Sequence, residues 1–307
     1  MRIVFMGTPE FAVKSLEACL ELGEVVAVVT QPDKPRGRGQ EVSFSPVKAL
    51  AVAKGLPVLQ PLKVKGTDFA QVLAGYRADV AVVTAYGKIL PQDVLDTPRR
   101  GCVNVHASLL PRFRGAAPIQ WAIASGDEKT GVCLMRMDAG MDTGPVIDRA
   151  ELPIAPEDTS ATLHDKLALL GGEVLRRSLG RYVDGALEPV PQATEGVVMA
   201  PMIKKEDGRL DWAKPAVVLE RRLRAFTPWP GAFCTFDGKL LKVTRARAAG
   251  GQGAPGTVLA AGPQGVEVAC GEGALVLLEL QPEGKRAMSA REFLAGRALQ
   301  AGSTPFA

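Results

Sequence analysis

Hydrophobic positions in the first half of the chain fall into short, nearly continuous runs separated by amphipathic stretches. Ile3–Met6, Val25–Thr30, Val80–Thr84 and Cys102–His106 are rich in apolar and β-branched residues, the pattern of strands buried on both faces of a sheet. Between the first two, Pro9–Glu21 repeats with a helical period. Ser45 followed by Pro46 marks an N-cap and a first helical position, opening a helix through Lys54 that Gly55 ends. Val132–Arg136 and Val146–Leu152 read as later strands, and Thr159–Tyr182 as a long amphipathic helix. Strands alternating with helices predict an α/β fold with a doubly wound, mostly parallel sheet. In such a fold the ligand crevice lies at the carboxyl ends of the strands.

The pattern changes after Val190. Val190–Gly208 is polar and reads as a linker, and Pro215–Ala225 as a helix. Five short strands follow between Gly and Pro punctuation: Ala232–Phe236, Leu240–Ala246, Gly256–Ala261, Val266–Ala269 and Leu275–Leu280. They predict a small OB-like β-barrel, closed by a terminal helix over Ser289–Leu299. The expected organisation is a catalytic domain over 1–189, a linker over 190–207 and a barrel domain over 208–307.

Composition narrows the class. The 307 residues are 47% hydrophobic and 23% charged, ordinary for a globular protein. No apolar run approaches the roughly 20 residues that span a bilayer. The N-terminus, MRIVFMGTPEF, has no signal-peptide pattern. Five scattered cysteines without a CxxC pair, and two histidines, argue for a reducing cytoplasm and against a zinc site. The net charge of +4 is unevenly spread: Gly208–Ala307 holds 13 Lys and Arg against 8 Asp and Glu. A basic C-terminal third suits a polyanionic partner.

The candidate chemistry lies at the end of one strand. In GCVNVHASLLP (Gly101–Pro111), period-two alternation places Asn104 and His106 on one face and Val103 and Val105 on the other. The glycine-rich loop MDAGMDTGPV (Met137–Val146) offers Asp142. Taken singly, His106 is a strand-end histidine and Asp142 an Asx-turn residue. Together they suit a carbonyl under nucleophilic attack: Asn104 and His106 donate to the developing oxyanion, and Asp142 orients or charges His106 and collects a proton. The loop SLLPRFRG (Ser108–Gly115) is expected to wall a ligand. Leu109, Leu110 and Pro111 would sandwich a flat heterocycle, and Arg112 or Arg114 would meet an anionic group. The long connection QPDKPRGRGQ (Gln31–Gln40) carries Lys34, Arg36 and Arg38, suited to a phosphate backbone. His164 in TLHDKL reads as a structural or surface residue. Neither GxGxxG after the first strand nor a Walker A motif is present.

These segments also carry a likeness. The chain resembles, essentially end to end, the methionyl-tRNA branch of the 10-formyltetrahydrofolate-dependent formyltransferase family. The likeness rests on MGTPEFAV, QPDKPRGRG, SPVKALA, AYGKILP, NVHASLLPRFRGAAPIQWAI, MDAGMDTGP and EDTSATLHDKL. It continues in DGRLDW, RAFTPWPGAF and QPEGKRAMSAREFLAGR. It implies a Rossmann-like formyltransferase domain followed by an OB-like tRNA-binding domain. The implied activity is transfer of formyl from 10-formyltetrahydrofolate, a co-substrate, to the α-amino group of methionyl initiator tRNA, by a cytoplasmic monomer with no metal. It assigns Asn104, His106 and Asp142 to catalysis and Ser108, Leu109, Leu110 and Pro111 to the folate. The loop with Arg36 and Arg38 and one of Lys204 and Lys205 are assigned to tRNA. Two alternatives stay open: a formyltransferase for a small amine, which needs no basic C-terminal domain, and a non-catalytic RNA-binding protein, which needs no trio.

Overall fold

In the computed structural model, which describes residues 1–36, 41–295, 297 and 299–306, the chain starts with β1 (Arg2–Gly7), a 3-10 turn (Glu10–Ala12), α1 (Val13–Leu22) and β2 (Glu24–Val29). It continues through β3 (Lys34–Arg36), β4 (Glu41–Ser43), α2 (Pro46–Ala53), β5 (Val58–Leu59), α3 (Phe69–Ala74), β6 (Val80–Thr84) and α4 (Gln92–Leu95). Then come β7 (Cys102–His106), β8 (Arg114–Gly115), α5 (Pro118–Ser125), β9 (Lys129–Arg136), β10 (Val146–Pro153), α6 (Ser160–Val183) and β11 (Met199–Ala200). Two compact units emerge. The first comprises Met1–Pro118, Lys129–Pro153 and His164–Ala200; the second Ile119–Glu128, Ile154–Leu163 and Pro201–Ala307.

The first unit is built on a seven-stranded sheet of order β10–β9–β7–β6–β1–β2–β5. The five strands from β7 to β5 run parallel; β9 is antiparallel to β7, and β10 is antiparallel to β9. The chain winds outward from β1 to β2 and β5, then returns to place β6 on the other side of β1, so the topological switch lies between β1 and β6. The predicted runs became the central strands because their side chains are covered on both faces; Ile3, Phe5, Val28, Val82 and Val103 are fully buried. Ser45 caps α2 as expected, its hydroxyl accepting from the Lys48 N–H at 3.1 Å.

Two polar segments hold more order than their composition suggests. The Gln31–Gln40 connection contains one arm of an antiparallel hairpin, in which Lys34 pairs with Ser43 and Arg36 with Glu41. Arg38 and Gln40 lie outside the described residues. The stretch read as a linker begins with a reciprocal pair of 2.8 Å backbone hydrogen bonds between Val190 and Val146. It then adds β11, parallel to β8. Backbone pairing of this kind needs no hydrophobic period, so the sequence pattern does not reveal it.

In the second unit, α7 (Ala216–Ala225) precedes β12 (Ala232–Phe236), β13 (Lys239–Ala249), β14 (Val258–Gly262), β15 (Gly265–Ala269), β16 (Ala274–Pro282), β17 (Met288–Ser289) and α8 (Ala290–Leu294). The sheet is antiparallel, of order β12–β13–β16–β15–β14 with β17 on β16. Its core joins Leu219 and Leu223 of α7 to Leu241, Val243, Leu275 and Leu277 of the strands and to Phe293 of α8. The five expected strands are present. The terminal helix is shorter than Ser289–Leu299. Ser289 caps it, but it stops at Leu294 because Ala295 turns extended (ψ 115°) and the Arg297 guanidinium takes the Phe293 carbonyl.

Candidate active site

Strand β7 lies between β6 and β9, and its register sets the site. Asn104 pairs with Val83 on one side and Met135 on the other, and His106 stands opposite Cys133. Both therefore reach the carboxyl end of the sheet, one strand beyond the switch point. His106 is buried, 6% exposed. Its Nε2 lies 2.9 Å from the Phe113 carbonyl oxygen. A carbonyl only accepts, so Nε2 is the protonated nitrogen and donates. The loop after β7 folds back to make this contact. The buried Ser108 hydroxyl donates to the Arg112 carbonyl at 2.7 Å, and Phe113 takes a left-handed φ of 60°.

The other ring nitrogen, Nδ1, faces Asp142 Oδ2 at 3.7 Å. That separation is an electrostatic contact, longer than a hydrogen bond. What fixes the carboxylate is a backbone group: Oδ2 accepts from the Gly115 N–H at 2.8 Å. Gly115 holds φ +118°, and a Cβ there would lie 2.7 Å from the Ala200 carbonyl oxygen, so only glycine brings this N–H to Asp142. Gly144 closes the Asp142 loop against the Arg136 carbonyl, 1.8 Å from where its Cβ would stand. Asp142 itself has φ 53°.

The Asn104 side-chain amide has no hydrogen-bond partner among the described residues, and the residue is half-buried. Asn104 thus carries a half-buried amide on the same strand as His106, two residues earlier. Cys133 across the ladder is no nucleophile: burial pushes its thiol up to about 11, so it stays neutral at pH 7.

The remaining candidates divide. Leu110 is buried with Cys133 and Met135, beneath half-buried Leu109 and Pro111. Ser108 is fully buried with its hydroxyl used inside the loop, so it shapes the wall. Arg112 lies over the Phe113 ring at 4.5 Å. Arg114 is engaged on one edge of its guanidinium: Nε and Nη2 donate to Gln192 Oε1 at 3.1 and 2.7 Å. Lys34 and Arg36 lie in the β3–β4 hairpin. Lys204 and Lys205 are exposed residues of the second unit, at the 3-10 turn Lys205–Gly208. His164, read from the sequence as a structural or surface residue, packs edge-on to Phe11 at 5.2 Å. Among the described residues no group of three metal-ligating side chains occurs, and no helix is long and apolar enough to cross a membrane.

Gln192 was not singled out in the sequence. Its Nε2 donates to the Asp142 carbonyl at 2.8 Å and the Gly144 carbonyl at 2.7 Å. Half of its partner atoms are main-chain carbonyls, which leave no trace in side-chain spacing.

Residues 1–179 match the formyl transferase family and residues 202–298 match the formyl transferase C-terminal domain. A methionyl-tRNA formyltransferase of Myxococcus xanthus is 68% identical over 305 residues, covering 99% of this chain and 98% of the relative. One of Stenotrophomonas maltophilia is 55% identical, covering 97% and 98%. Among solved structures, the sugar 3N-formyl transferase WlaRD, crystallised with dTDP and 5-N-formyl-THF, superposes with a TM-score of 0.68 at 17% identity, over 93% of this chain and 99% of that one. HypX from Aquifex aeolicus, in complex with tetrahydrofolic acid, gives 0.61 at 21%, over 96% of this chain; the chain spans about half of HypX (47%). At these identities the two structures establish the shared fold alone. The chain belongs to the formyl transferase family, and within it to the methionyl-tRNA formyltransferases.

Proposed function

We propose that this protein transfers the formyl group of 10-formyltetrahydrofolate to the α-amino group of methionyl initiator tRNA, in the cytoplasm and as a monomer. The observation that carries the chemistry is the convergence of His106 and Asp142, 3.7 Å apart, at the end of the strand bearing the unpaired Asn104 amide. The acceptor follows from the full-length likeness to relatives of that name. The basic balance beyond Gly208 favours it over a small amine.

The donor, a substrate, supplies an activated formyl carbon and a nitrogen leaving group. The site fits it: free amide donors for the formyl oxygen, and the half-buried Leu109 and Pro111, backed by Leu110, as an apolar wall for a flat ring. Asn104 donates to the oxygen as negative charge develops there. Nε2 of His106 is held by the Phe113 carbonyl, so the neutral ring presents an unprotonated Nδ1 to the reaction; in this reading His106 is a proton acceptor rather than the oxyanion donor expected from the sequence, and it takes the proton that the sequence reading gave to Asp142. It accepts a proton released by the attacking amine, and the imidazolium so formed is stabilised by the Asp142 carboxylate. The same proton can then return to the departing nitrogen, so the reaction needs no net acid or base.

The catalytic domain in this reading runs through Ala200, beyond the boundary at 189, because Gln192 and β11 support the site. The basic residues Lys34, Arg36 and Arg38 and one of Lys204 and Lys205 are assigned in this reading to tRNA phosphates. The test is a formyl-transfer assay with methionyl initiator tRNA beside methionyl elongator tRNA, both with 10-formyltetrahydrofolate. The expected result is formylation of the initiator with a strong preference over the elongator. Transfer to neither, with transfer to a free sugar amine or small amine, would overturn the assignment.

A further inference from the structure

We propose that Gln192 is a positioning residue for the reaction, acting through Asp142; the inference rests on the catalytic reading of Asp142 above. Its side-chain amide uses its whole hydrogen-bonding capacity. The two N–H bonds go to the Asp142 and Gly144 carbonyls, and the oxygen receives two from Arg114. The orientation of the amide is dictated by these partners. A flip would set its NH2 against a guanidinium, which only donates, and its oxygen against two carbonyls, which only accept.

The bonds fall where the site needs them. Asp142 sits at φ 53°, and Gln192, from outside the loop, grips the carbonyls on both sides of Thr143. Arg114, the other partner, immediately precedes Gly115, whose N–H holds the Asp142 carboxylate at 2.8 Å. One amide thus couples the backbone under Asp142 to the strand that aims its side chain. The segment carrying Gln192 is itself tied down on either side, at Val190 to Val146 and at Met199–Ala200 to β8. Gln192 touches no reacting atom in this account; it sets the distance between Asp142 and His106.

The test compares Gln192→Ala and Gln192→Glu in the wild-type and Asp142→Asn backgrounds, using the full chain with methionyl initiator tRNA and 10-formyltetrahydrofolate. Glutamate has nearly the same shape and keeps the Arg114 contacts, but it cannot donate to the two carbonyls. Both variants are expected to lower kcat about 10- to 100-fold, since small misplacement of a reacting group has effects of that order. KM for both substrates stays within about twofold of wild type, the signature of a residue that does not touch substrate. In the Asp142→Asn background either change is expected to remove less than a further twofold, because both act through one group. A lower melting temperature with kcat unchanged would overturn the proposal by showing a purely structural tie. Full multiplicative losses in the Asp142→Asn background would overturn it by showing that Gln192 acts independently. Wild-type rates for Asp142→Asn alone would instead remove the catalytic reading on which the proposal stands.

Discussion

At His106 the two ring nitrogens have different neighbours, and that asymmetry sets what the residue can do. Nε2 is committed to the Phe113 carbonyl, so a neutral ring presents a lone pair at Nδ1 toward the Asp142 carboxylate. A second proton converts that repulsive arrangement into an attractive one. His106→Ala is expected to lower kcat at least about 100-fold, comparable with loss of a preorganised transition-state group, while tRNA affinity stays within about twofold by filter binding. Equal losses in rate and affinity would contradict this. Period-two alternation in CVNVH made the shared face of Asn104 and His106 readable from the chain. Asp142 could be read only as a motif. The groups that hold these side chains were not readable, because Phe113 and Gly115 act through a carbonyl and an N–H that every sequence position possesses. Asp142 faces His106 at 3.7 Å while its hydrogen bond goes to the Gly115 N–H, a partner invisible in side-chain spacing for the same reason.

Elements with strong burial were legible almost to the residue: β6 and β7 coincide with the predicted Val80–Thr84 and Cys102–His106. Their side chains meet apolar neighbours on both faces, so every position carries signal. The two-residue strands β8 and β11 and the β3–β4 hairpin carry almost none, being short and held by main-chain bonds. The sheet's outer antiparallel strand shows a different device. Asp148 of β10 accepts from Arg177 Nε at 2.8 Å and from the Ser178 hydroxyl, both on α6. Burial alone would raise its pKa; the Ser178, Arg177 and Arg149 hydrogen bonds outweigh that and hold the carboxyl below its usual value. A depressed carboxyl stabilises the fold fully above the unfolded-state pKa, near 3.9. The contribution fades as pH falls through the folded-state value. Asp148→Asn should therefore lower the melting temperature at pH 7 by about 2–4 °C, measured by circular dichroism, and the gap to wild type should close on acidification toward pH 3. A gap that persists or widens there would show that the charge is not the source.

For the whole molecule, the division into a sheet-based unit and a smaller antiparallel unit was visible as a change in the spacing of apolar runs near residue 190. The assignment of 190–200 was not, since that polar stretch earns its place through Gln192 and β11. In the proposed function, β7 and the Asp142 loop of the first unit supply the reacting groups, and the 190–200 segment holds the Asp142 loop from behind. The most direct test is the single-turnover formyl-transfer rate of Asp142→Asn at saturating donor and methionyl initiator tRNA. Asparagine can still accept from the Gly115 N–H and tolerates the left-handed backbone at this position, so the change removes charge and little else. The account predicts a fall of at least about 100-fold with tRNA binding unchanged; a rate within about threefold of wild type, less than 1 kcal/mol of barrier, would contradict it.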